Sequence, residues 1–415
     1  MYTPHTHCRA CGHAKSGANG IKAAPADKLL EAFDLGVQPL ANDFCKADQP
    51  RAGYAPLKVM FCPRCTLAQL SVVVRPDILY SHYSYITSAS QMMKLHFDQL
   101  WADMQAECKL KSVVEIGSNT GDFLEFCMKM GANRVLGIDP AENLCEIACQ
   151  KGIQSIAKPF SFHTAIMAHS RMMGVDAVVA RHVFCHIDNW HDFILNLREI
   201  GDIETIYCIE VPYALNMLAD CSFDTVYHEH LSYLTIKSVK ALLKDTGLHI
   251  HNVQKYPIHG GAIVITLRDD KSKVSPMAEL PEMSSEKATL VEWTAFAANA
   301  RDQICRLRAT VESLVAQGKR VAGLGASAKS TVWINACGFT RKQIAFISDN
   351  TPQKQYTFSP GTDIPIVDEG AILRDLPDYV VMFAWNYKAE VLEKFALARS
   401  KGVKFIVPIP KIEIV

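Results

Sequence analysis

The sequence predicts an α/β protein of three domains, in which a small cysteine-rich domain precedes two larger domains that each contain a sheet covered by helices. Three observations lead to this prediction. Two C-x-x-C pairs lie within the first 65 residues, strand and helix patterns alternate from residue 112, and a polar segment at residues 269–285 precedes a second α/β unit. We therefore expect domains at residues 1–75, 76–270 and 285–415.

The two cysteine pairs predict a zinc-ribbon-like N-terminal domain. Gly12 follows the first pair and Pro63 lies inside the second, as in turns whose backbone N–H groups bond to thiolates. Four thiolates complete the tetrahedral coordination of Zn²⁺ and leave no open position for catalysis, so the metal would be structural. A redox-active dithiol is the alternative. The four expected ligands are Cys8, Cys11, Cys62 and Cys65.

Alternating patterns predict the other two domains. A doubly wound parallel sheet is indicated by strands at residues 112–116, 134–138, 153–157, 175–180 and 205–209, and by helices at residues 122–130, 142–151 and 190–199. A helix at 238–244 and strands at 249–255 and 262–267 predict an antiparallel finish to that sheet. Residues 286–317, free of Gly and Pro, predict a long helix that braces two domains, and strands at 320–324 and 344–348 begin the last unit.

The overall composition excludes several functions. The 43 basic and 43 acidic residues balance, so no electrostatic footprint for nucleic acid or an anionic membrane is visible. No apolar run approaches the roughly 20 residues that span a bilayer, and the first residues lack the pattern of a signal peptide. We therefore expect a cytoplasmic protein with reduced thiols. Small core residues are expected at Cys108, Cys127, Cys145, Cys149, Cys208, Cys305 and Cys337.

Residues 227–233 hold two histidines, a glutamate and two tyrosines within seven positions. If this segment is extended, Tyr227 and Glu229 lie on one side and His228 and His230 on the other. Imidazole titrates near neutral pH, and a neighbouring carboxylate fixes its tautomer and raises its basicity, so the cluster suits proton abstraction. A polar loop whose side chains bond to one another is the alternative.

A glycine-containing loop follows the first strand of the central domain, and Asp139-Pro140 ends the next strand. The glycines permit a close backbone approach to a ligand, and the carboxylate can accept both hydroxyls of a ribose. Together the two features resemble the S-adenosylmethionine (SAM) site of class I methyltransferases, although a glycine loop alone also occurs in dinucleotide-binding folds. The expected SAM-binding residues are Glu115, Gly117, Ser118, Asn119, Gly121, Asp139, Pro140 and Arg181.

Further along, Arg181, His182 and His186 lie at the end of the fourth predicted strand. The carboxyl ends of strands line the ligand crevice in open α/β sheets. We therefore expect His182 to face cofactor or substrate, whereas one of the two histidines only packs or caps a helix.

With these features in this order, the chain resembles the nucleotide-sugar C-methyltransferases that act on 4-keto-deoxyhexoses. The resemblance covers nearly the whole chain and rests on Tyr-His-Glu-His-Leu-Ser-Tyr at 227–233, His-Gly-Gly at 259–261, Gly-Leu-Gly-Ala-Ser-Ala-Lys-Ser at 323–330, Asp-Asn-Thr-Pro-Gln-Lys-Gln at 349–355, Pro-Gly-Thr at 360–362 and Ala-Trp-Asn-Tyr at 384–387. It implies a class I SAM methyltransferase domain and a degenerate Rossmann-like C-terminal domain.

The resemblance also implies a dTDP- or GDP-linked 4-keto sugar as substrate, lying between the two larger domains. Lys329 and the amides of its loop would contact the diphosphate, and ATP hydrolysis is disfavoured because Ala328 stands where a P-loop needs glycine. The implied substrate-binding residues are His259, Gly260, Gly261, Gly325, Ala326, Lys329 and Asn386. A monomer is compatible with the sequence.

The chemistry implied by this resemblance is methylation at C3 through an enolate. His230 would remove the C3 proton, and Glu229 would orient and charge the imidazole. Tyr227 and His182 would donate hydrogen bonds to the C4 oxygen, where negative charge develops. The enolate carbon would then attack the methyl group, on the opposite face of the sugar from the abstracted proton.

Two positions depart from the family pattern, and one position stays open. Thr120 and Cys185 stand where the family usually has acidic residues. One of Tyr83 and Tyr85, in the aromatic segment after the first domain, would close over the substrate. The alternative functions are an O- or N-methyltransferase and a non-catalytic protein that binds nucleotide sugars.

Overall fold

Four sheets organise the chain in the computed structural model, which describes residues 1–12, 28–51, 53–80, 91–258, 260–272 and 285–415. The strands are β1 (Tyr2–Pro4), β2 (Leu30–Pro39), β3 (Tyr54–Phe61), β4 (Ala68–Leu70), β5 (Val72–Val74), β6 (Ser112–Ile116), β7 (Arg134–Asp139), β8 (Ser155–Ala157), β9 (Ala177–Arg181), β10 (Ile206–Pro212), β11 (Ser232–Tyr233), β12 (Leu248–Tyr256), β13 (Ala262–Asp269), β14 (Val321–Leu324), β15 (Ile347–Asp349), β16 (Ile366–Asp368), β17 (Tyr379–Met382), β18 (Lys404–Val407) and β19 (Glu413–Ile414).

Helices cover these sheets and connect their parallel strands. They are α1 (Pro76–Tyr80), α2 (Gln91–Glu107), α3 (Asp122–Lys129), α4 (Glu142–Gln150), α5 (Phe162–Met172), α6 (Trp190–Arg198), α7 (Ala214–Asp220), α8 (Ile236–Leu242), α9 (Leu290–Ala316), α10 (Ala328–Cys337), α11 (Ala371–Arg374), α12 (Lys388–Lys394) and α13 (Ala396–Ser400). The sequence pattern does not predict α2 or α5, because polar residues obscure the apolar face of each helix.

The central sheet has seven strands in the order β12-β13-β10-β9-β6-β7-β8. The five strands from β10 to β8 are parallel, and β13 is antiparallel to both β10 and β12. Every residue of β6 is buried, as expected when helices cover both faces of a parallel sheet. The predicted doubly wound sheet with an antiparallel finish is therefore confirmed.

The N-terminal domain contains an antiparallel sheet in the order β11-β4-β3-β2. Its edge strand β11 comes from the middle of the chain, where Ser232 pairs with Gln69 and Tyr233 with Ala68. The first two domains are thus joined by backbone hydrogen bonds. The strand β11 is thus the end of the cluster at residues 227–233, and α8 begins shortly after it at Ile236.

The four predicted zinc ligands converge within this domain. Their Sγ atoms all lie within 4.8 Å of one another, with 3.4 Å between Cys8 and Cys65 and 3.7 Å between Cys11 and Cys62. Four sulfur atoms at about 2.3 Å from a central Zn²⁺ have similar separations. Gly12 and Thr66 take positive φ angles of 65° and 64°, so each knuckle turns back on its cysteine pair. This donor set fits the predicted structural zinc.

Arg9, which lies in the first knuckle, connects the zinc site to the central domain. Its Nε donates to Asp188 Oδ1 at 3.0 Å, and its Nη1 donates to the Leu231 carbonyl at 3.2 Å. The guanidinium is buried, and hydrogen bonds to charged groups are among the stronger ones in proteins. The zinc site therefore supports the end of the tyrosine–histidine cluster.

The C-terminal sheet has the order β16-β15-β14-β17-β18-β19. Its first five strands are parallel, and β19 is antiparallel to β18, which confirms the predicted second α/β unit. The long helix α9 begins with a capping box at Thr289 and Glu292. Its Trp293 and Phe296 pack against Tyr233 and Phe33, so α9 braces more than the two domains expected.

Two smaller expectations have different outcomes. Cys149 and Cys305 are exposed, so the prediction that they are small core residues is wrong. Among the described residues, no helix is both long and apolar enough to cross a membrane.

The zinc site yields a first prediction. The Cys62→Ser substitution removes one of the four expected zinc ligands. Loss of only a hydrogen bond that supports a ligand weakens metal binding roughly 10- to 100-fold, so the zinc affinity of Cys62→Ser should fall by more than that. Metal analysis of the purified full-length protein should give one zinc per chain in the wild type and in Cys149→Ser, the exposed-cysteine control. Folded wild-type protein without zinc would contradict the assignment.

Candidate active site

A cavity of about 660 Å³ lies where β6, β7 and β9 end, and β5 and α1 close its other side. This volume is within the range of small-molecule sites. Seven residues singled out in the sequence line it, namely Gly117, Asn119, Asp139, Pro140, Arg181, His182 and His186. The fold thus brings most of the predicted cofactor loop together with the histidines that follow β9.

Gly117 allows the backbone to approach this cavity closely. Its φ angle is 70°, and a Cβ atom at this position would lie 3.1 Å from the Cβ of Val183. Its N–H donates to the Ile138 carbonyl at 2.7 Å, which ties the loop to the end of β7. A side chain here would strain the backbone and crowd the cavity wall.

Asp139, at the end of β7, organises the same loop. Its Oδ2 accepts from the Asn119 N–H at 2.8 Å, and its Oδ1 accepts from the Ala141 N–H at 2.9 Å. Burial raises the pKa of this carboxyl, and the two backbone hydrogen bonds oppose that shift. An ionised carboxylate has about four acceptor positions, so two remain for the hydroxyls of a ribose.

Glu115 and Arg181 form a buried pair beside the cavity. Arg181 Nε and Nη2 both donate to Glu115 Oε1, at 2.8 and 2.7 Å. The guanidinium also lies 4.8 and 4.5 Å from the ring centroids of Phe97 and Phe123. Arg181 therefore has a fixed position in the cavity wall.

Three predicted cofactor residues do not line the cavity. Glu115 is turned towards Arg181. Ser118 packs over Gly137, where an added Cβ would lie 2.4 Å from the serine Oγ. Gly121 faces Ala148 and Ile153 at the start of α3. These three residues pack into the sheet and against α4, where they support the loop, and their contact with the cofactor stays a prediction.

His182 belongs to a buried arrangement that the sequence did not reveal. Its Nε2 lies 3.2 Å from Glu210 Oε1, and His96 Nε2 lies 2.8 Å from the same oxygen. Burial alone would raise the pKa of Glu210, but the neighbouring His182 and His96 imidazoles hold it well below its ordinary value. Glu210 follows directly after the predicted strand 205–209, at the same edge of the sheet as His182. This position could have identified Glu210 as a site residue from the sequence.

Residues 224–231, here called the histidine turn, are not extended. The chain turns at residues 227–229, so Tyr227 and His230 lie on the same side, and the Tyr227 hydroxyl is 2.5 Å from His230 Nε2. His230 Nδ1 lies 2.9 Å from the Thr225 carbonyl oxygen. Since a carbonyl only accepts, Nδ1 carries the hydrogen and Nε2 of the neutral ring accepts from Tyr227. Tyr227 and His230 would lie on opposite sides of an extended segment, so the placement expected for such a segment is wrong.

Glu229 does not orient His230. Its Oε1 accepts from Asn42 Nδ2 at 2.6 Å, whereas the Thr225 carbonyl and Tyr227 fix the imidazole. Burial raises the pKa of Glu229 to about 7, against the opposing effects of Asn42 and Lys354. The prediction that Glu229 orients the His230 imidazole is therefore wrong. The turn points Glu229 towards Asn42 of the N-terminal domain instead.

His228 has a structural role. Its Nε2 is 3.1 Å from the Ala55 carbonyl oxygen, and the side chain is buried. This contact joins the histidine turn to β3.

The surroundings keep the His230 imidazole neutral. Burial lowers the pKa of His230 well below its ordinary value, and His186, Lys329 and His182 add to the effect. Burial, with a smaller effect of His182, also lowers the pKa of His186 to about 4. The His186 and His230 rings are 5.2 Å apart, so the wall of the large cavity continues to the histidine turn.

Asp224 connects the histidine turn to the C-terminal domain. Its Oδ2 accepts from Trp385 Nε1 at 2.7 Å and from Trp333 Nε1 at 3.1 Å. Lys329 Nζ lies 4.5 Å from the centroid of the Trp385 ring, and burial lowers the pKa of this lysine while Asp224 opposes the shift. The sequence placed Lys329 at the substrate but gave no role to Asp224, although it directly precedes the cluster.

Most amides of the C-terminal glycine loop are already engaged. Gly325 donates to the Ser348 carbonyl, Ala326 donates to Asp349 Oδ2, and Ser327 donates to Ser330 Oγ. The Gly325 and Ala326 amides therefore bond to the end of β15, whereas Ser327 and Ser330 cap α10. Contact of Gly325 and Ala326 with a diphosphate stays a prediction. Asn386 contacts the neighbouring Tyr387 and lies beside Trp385.

Gly260 and Gly261 lie near His230. All three line a second, small cavity of about 20 Å³, which has room for about one water molecule. A Cβ at Gly260 would lie 3.1 Å from Trp385 Cη2, so the glycine allows the two larger domains to approach. Tyr83, Tyr85 and His259, also predicted for the site, fall outside the described residues.

The two departures from the family pattern have different surroundings. Thr120 Oγ1 donates to Asp122 Oδ2 at 2.6 Å, so its side chain bonds to the first residue of α3. Cys185 is buried beside the histidine turn, and its carbonyl accepts from the Leu231 N–H at 2.9 Å.

Comparison with known proteins agrees with this architecture. Family models match residues 25–80 as a zinc binding domain, residues 94–253 as a methyltransferase domain and residues 257–410 as a C-methyltransferase C-terminal domain. The chain is 32% identical to the C-methyltransferase NovU of Streptomyces niveus, over 98% of this chain and 96% of that protein.

Solved structures were compared as well. The N-methyltransferase NodS of Bradyrhizobium japonicum WM9 is 13% identical, and the match covers 44% of this chain and 99% of that one with a TM-score of 0.34. The magnesium protoporphyrin IX methyltransferase of Synechocystis PCC 6803, solved with bound SAM, is 14% identical over 45% and 86% of the two chains, with a TM-score of 0.33.

The glycine loop yields a second prediction. Gly117→Ala is expected to weaken SAM binding by roughly 10-fold or more, because the new Cβ adds left-handed strain of about 1–2 kcal/mol and crowds Val183. Gly131→Ala is the matched control, since Gly131 also has a positive φ but faces open space. Calorimetric titration with SAM should separate the variants, and equal affinities would contradict the role of the loop.

Proposed function

Because this chain belongs to the C-methyltransferase family that includes NovU, we propose that it methylates C3 of a nucleotide-linked 4-keto-deoxy sugar, with SAM as methyl donor. One observation carries the proposal. The neutral His230 imidazole presents its unprotonated Nε2 to the Tyr227 hydroxyl, beside a cavity that fits SAM. A base and an oxygen-directed donor are thereby held together, as carbon methylation next to a ketone requires.

SAM would occupy the large cavity, with its ribose at Asp139 and its remaining parts against Gly117, Asn119 and Arg181. When bound, it supplies an electrophilic methyl group on sulfur. His182 and His186 line the same cavity, so the sugar has to lie on their side of the cofactor. The protein orients both partners and needs no group of its own to carry the methyl.

His230 is the proposed base. Thr225 holds the Nδ1 hydrogen, so Nε2 is the atom that takes the C3 proton. Because the pKa of His230 is lowered by burial and by neighbouring cationic groups, the ring is unprotonated near neutral pH. A ketone oxygen that accepts the Tyr227 hydroxyl would release Nε2 from its present hydrogen bond.

Tyr227 and His182 are the proposed donors to the C4 oxygen. Charge develops on this oxygen when C3 loses its proton, and donors fixed in advance stabilise it most. Glu210 Oε1 lies 3.2 Å from His182 Nε2 and 2.8 Å from His96 Nε2, so it holds the His182 ring in place. Glu210 is therefore a positioning residue in this proposal.

Lys329 is the proposed contact for the diphosphate. It is a half-buried lysine at the start of α10, close to Trp385. The small cavity at His230 is too narrow for a sugar ring, so binding has to widen the space between Gly260 and the histidine turn. Closure would then exclude water from the enolate.

Replacement of His230 tests the base. His230→Ala should lower the C3 proton exchange rate of a dTDP-linked 4-keto-deoxyhexose in D₂O by about 100-fold or more, while calorimetric SAM affinity changes little. Exposed His191→Ala serves as the control and should behave as the wild type. Undiminished exchange in His230→Ala would reject His230 as the base.

Replacement of Glu210 tests the positioning of His182. Glu210→Gln keeps the shape but removes the charge, and kcat should fall roughly 10- to 100-fold with a smaller change in KM. The pH dependence of kcat should change in the same variant, because the buried negative charge beside His182 and His96 is removed. A change in thermal stability alone, with kcat and its pH profile intact, would show that Glu210 is merely structural.

The pH dependence of kcat on the acid side tests whether the pKa of His230 is lowered. His230 must be unprotonated to act, and its pKa is lowered, so the acid limb of the wild-type profile should lie below the ordinary histidine range. Lys329→Met removes a positive charge that lowers this pKa, so the limb should move to higher pH. A limb that moves to lower pH in Lys329→Met would contradict the assigned environment.

A further inference from the structure

Three donor groups meet at the inner end of the proposed site. The Sγ of Cys185 and one nitrogen each from His186 and His230 lie within 4.8 Å of one another. Cys185 and His186 belong to a short 3-10 turn after β9, and the hydrogen bond from Leu231 N–H to the Cys185 carbonyl holds this turn against the histidine turn. The main chain therefore keeps the three donors together.

The chemistry of these donors suits a soft or borderline metal ion. Two imidazoles and a thiolate are preferred ligands of Zn²⁺ and its heavier relative Cd²⁺. Each imidazole offers the lone pair of one ring nitrogen, and the three donor atoms lie close enough together to bind one ion. Cysteine binds metals as the thiolate, so binding of the ion releases the Cys185 proton to solvent.

We propose that Cys185, His186 and His230 form a second metal site, which binds Zn²⁺ or Cd²⁺ and inhibits the enzyme when occupied. The inhibitory part rests on the proposed function, because the ion takes a lone pair of the proposed base. His186 lines the large cavity and gives the ion a route from that side. Unlike the site of four cysteines, this site supplies three protein ligands and leaves a position for water.

Binding is tested with Co²⁺ on the full-length protein that retains one zinc per chain. The wild type should develop a thiolate-to-cobalt charge-transfer band at one added equivalent. The exposed-cysteine control Cys149→Ser should keep this band, whereas Cys185→Ser and His186→Asn should lose it or bind at least 10-fold more weakly. A band of equal strength and affinity in both site variants would overturn the proposal.

Inhibition is tested with Cd²⁺ in the methyl-transfer assay. The concentration for half inhibition should rise at least 10-fold in Cys185→Ser and stay unchanged in Cys149→Ser. Equal sensitivity of Cys185→Ser and the wild type would overturn the inhibitory role. A wild type that shows the cobalt band but no C3 exchange without added metal would support the site and reject the proposed function instead.

Discussion

The histidine turn depends on contacts at both ends with neighbouring domains. At its start, Asp224 accepts hydrogen bonds from two tryptophan side chains of the C-terminal domain. At its end, Leu231 bonds to Leu70 and to Arg9, and the chain continues as the edge strand β11 of the N-terminal sheet. A tight turn with several buried polar groups is unfavourable alone, and these contacts supply the partners that it lacks.

This constraint explains why three domains surround one small site. The zinc site fixes the knuckle that carries Arg9, and Arg9 reaches both the histidine turn and Asp188 at the large cavity. The C-terminal domain brings Lys329 and Trp385 to the same turn. The central domain supplies the cofactor cavity and the histidines. Loss of the C-terminal domain should therefore impair the base before it impairs the cofactor site.

The central sheet was predictable because its buried parallel strands are short apolar runs between helical patterns. The zinc ligands and Gly117 were predictable because paired C-x-x-C motifs and a glycine directly after a buried strand are local sequence patterns. The histidine turn was not, since an extended segment and a tight turn can share one sequence and only contacts with other domains decide between them. Glu210 was missed because its partner His96 lies on α2, far away in the chain.

Carbon methylation is the central claim, and nuclear magnetic resonance of the product tests it most directly. The enzyme would be incubated with SAM that carries a ¹³C-labelled methyl group and a dTDP-linked 4-keto-deoxyhexose labelled with ¹³C at C3. A one-bond carbon–carbon coupling between the new methyl group and C3 is the predicted result. A methyl signal without that coupling, with the chemical shift of a methyl group on oxygen or nitrogen, would contradict the account.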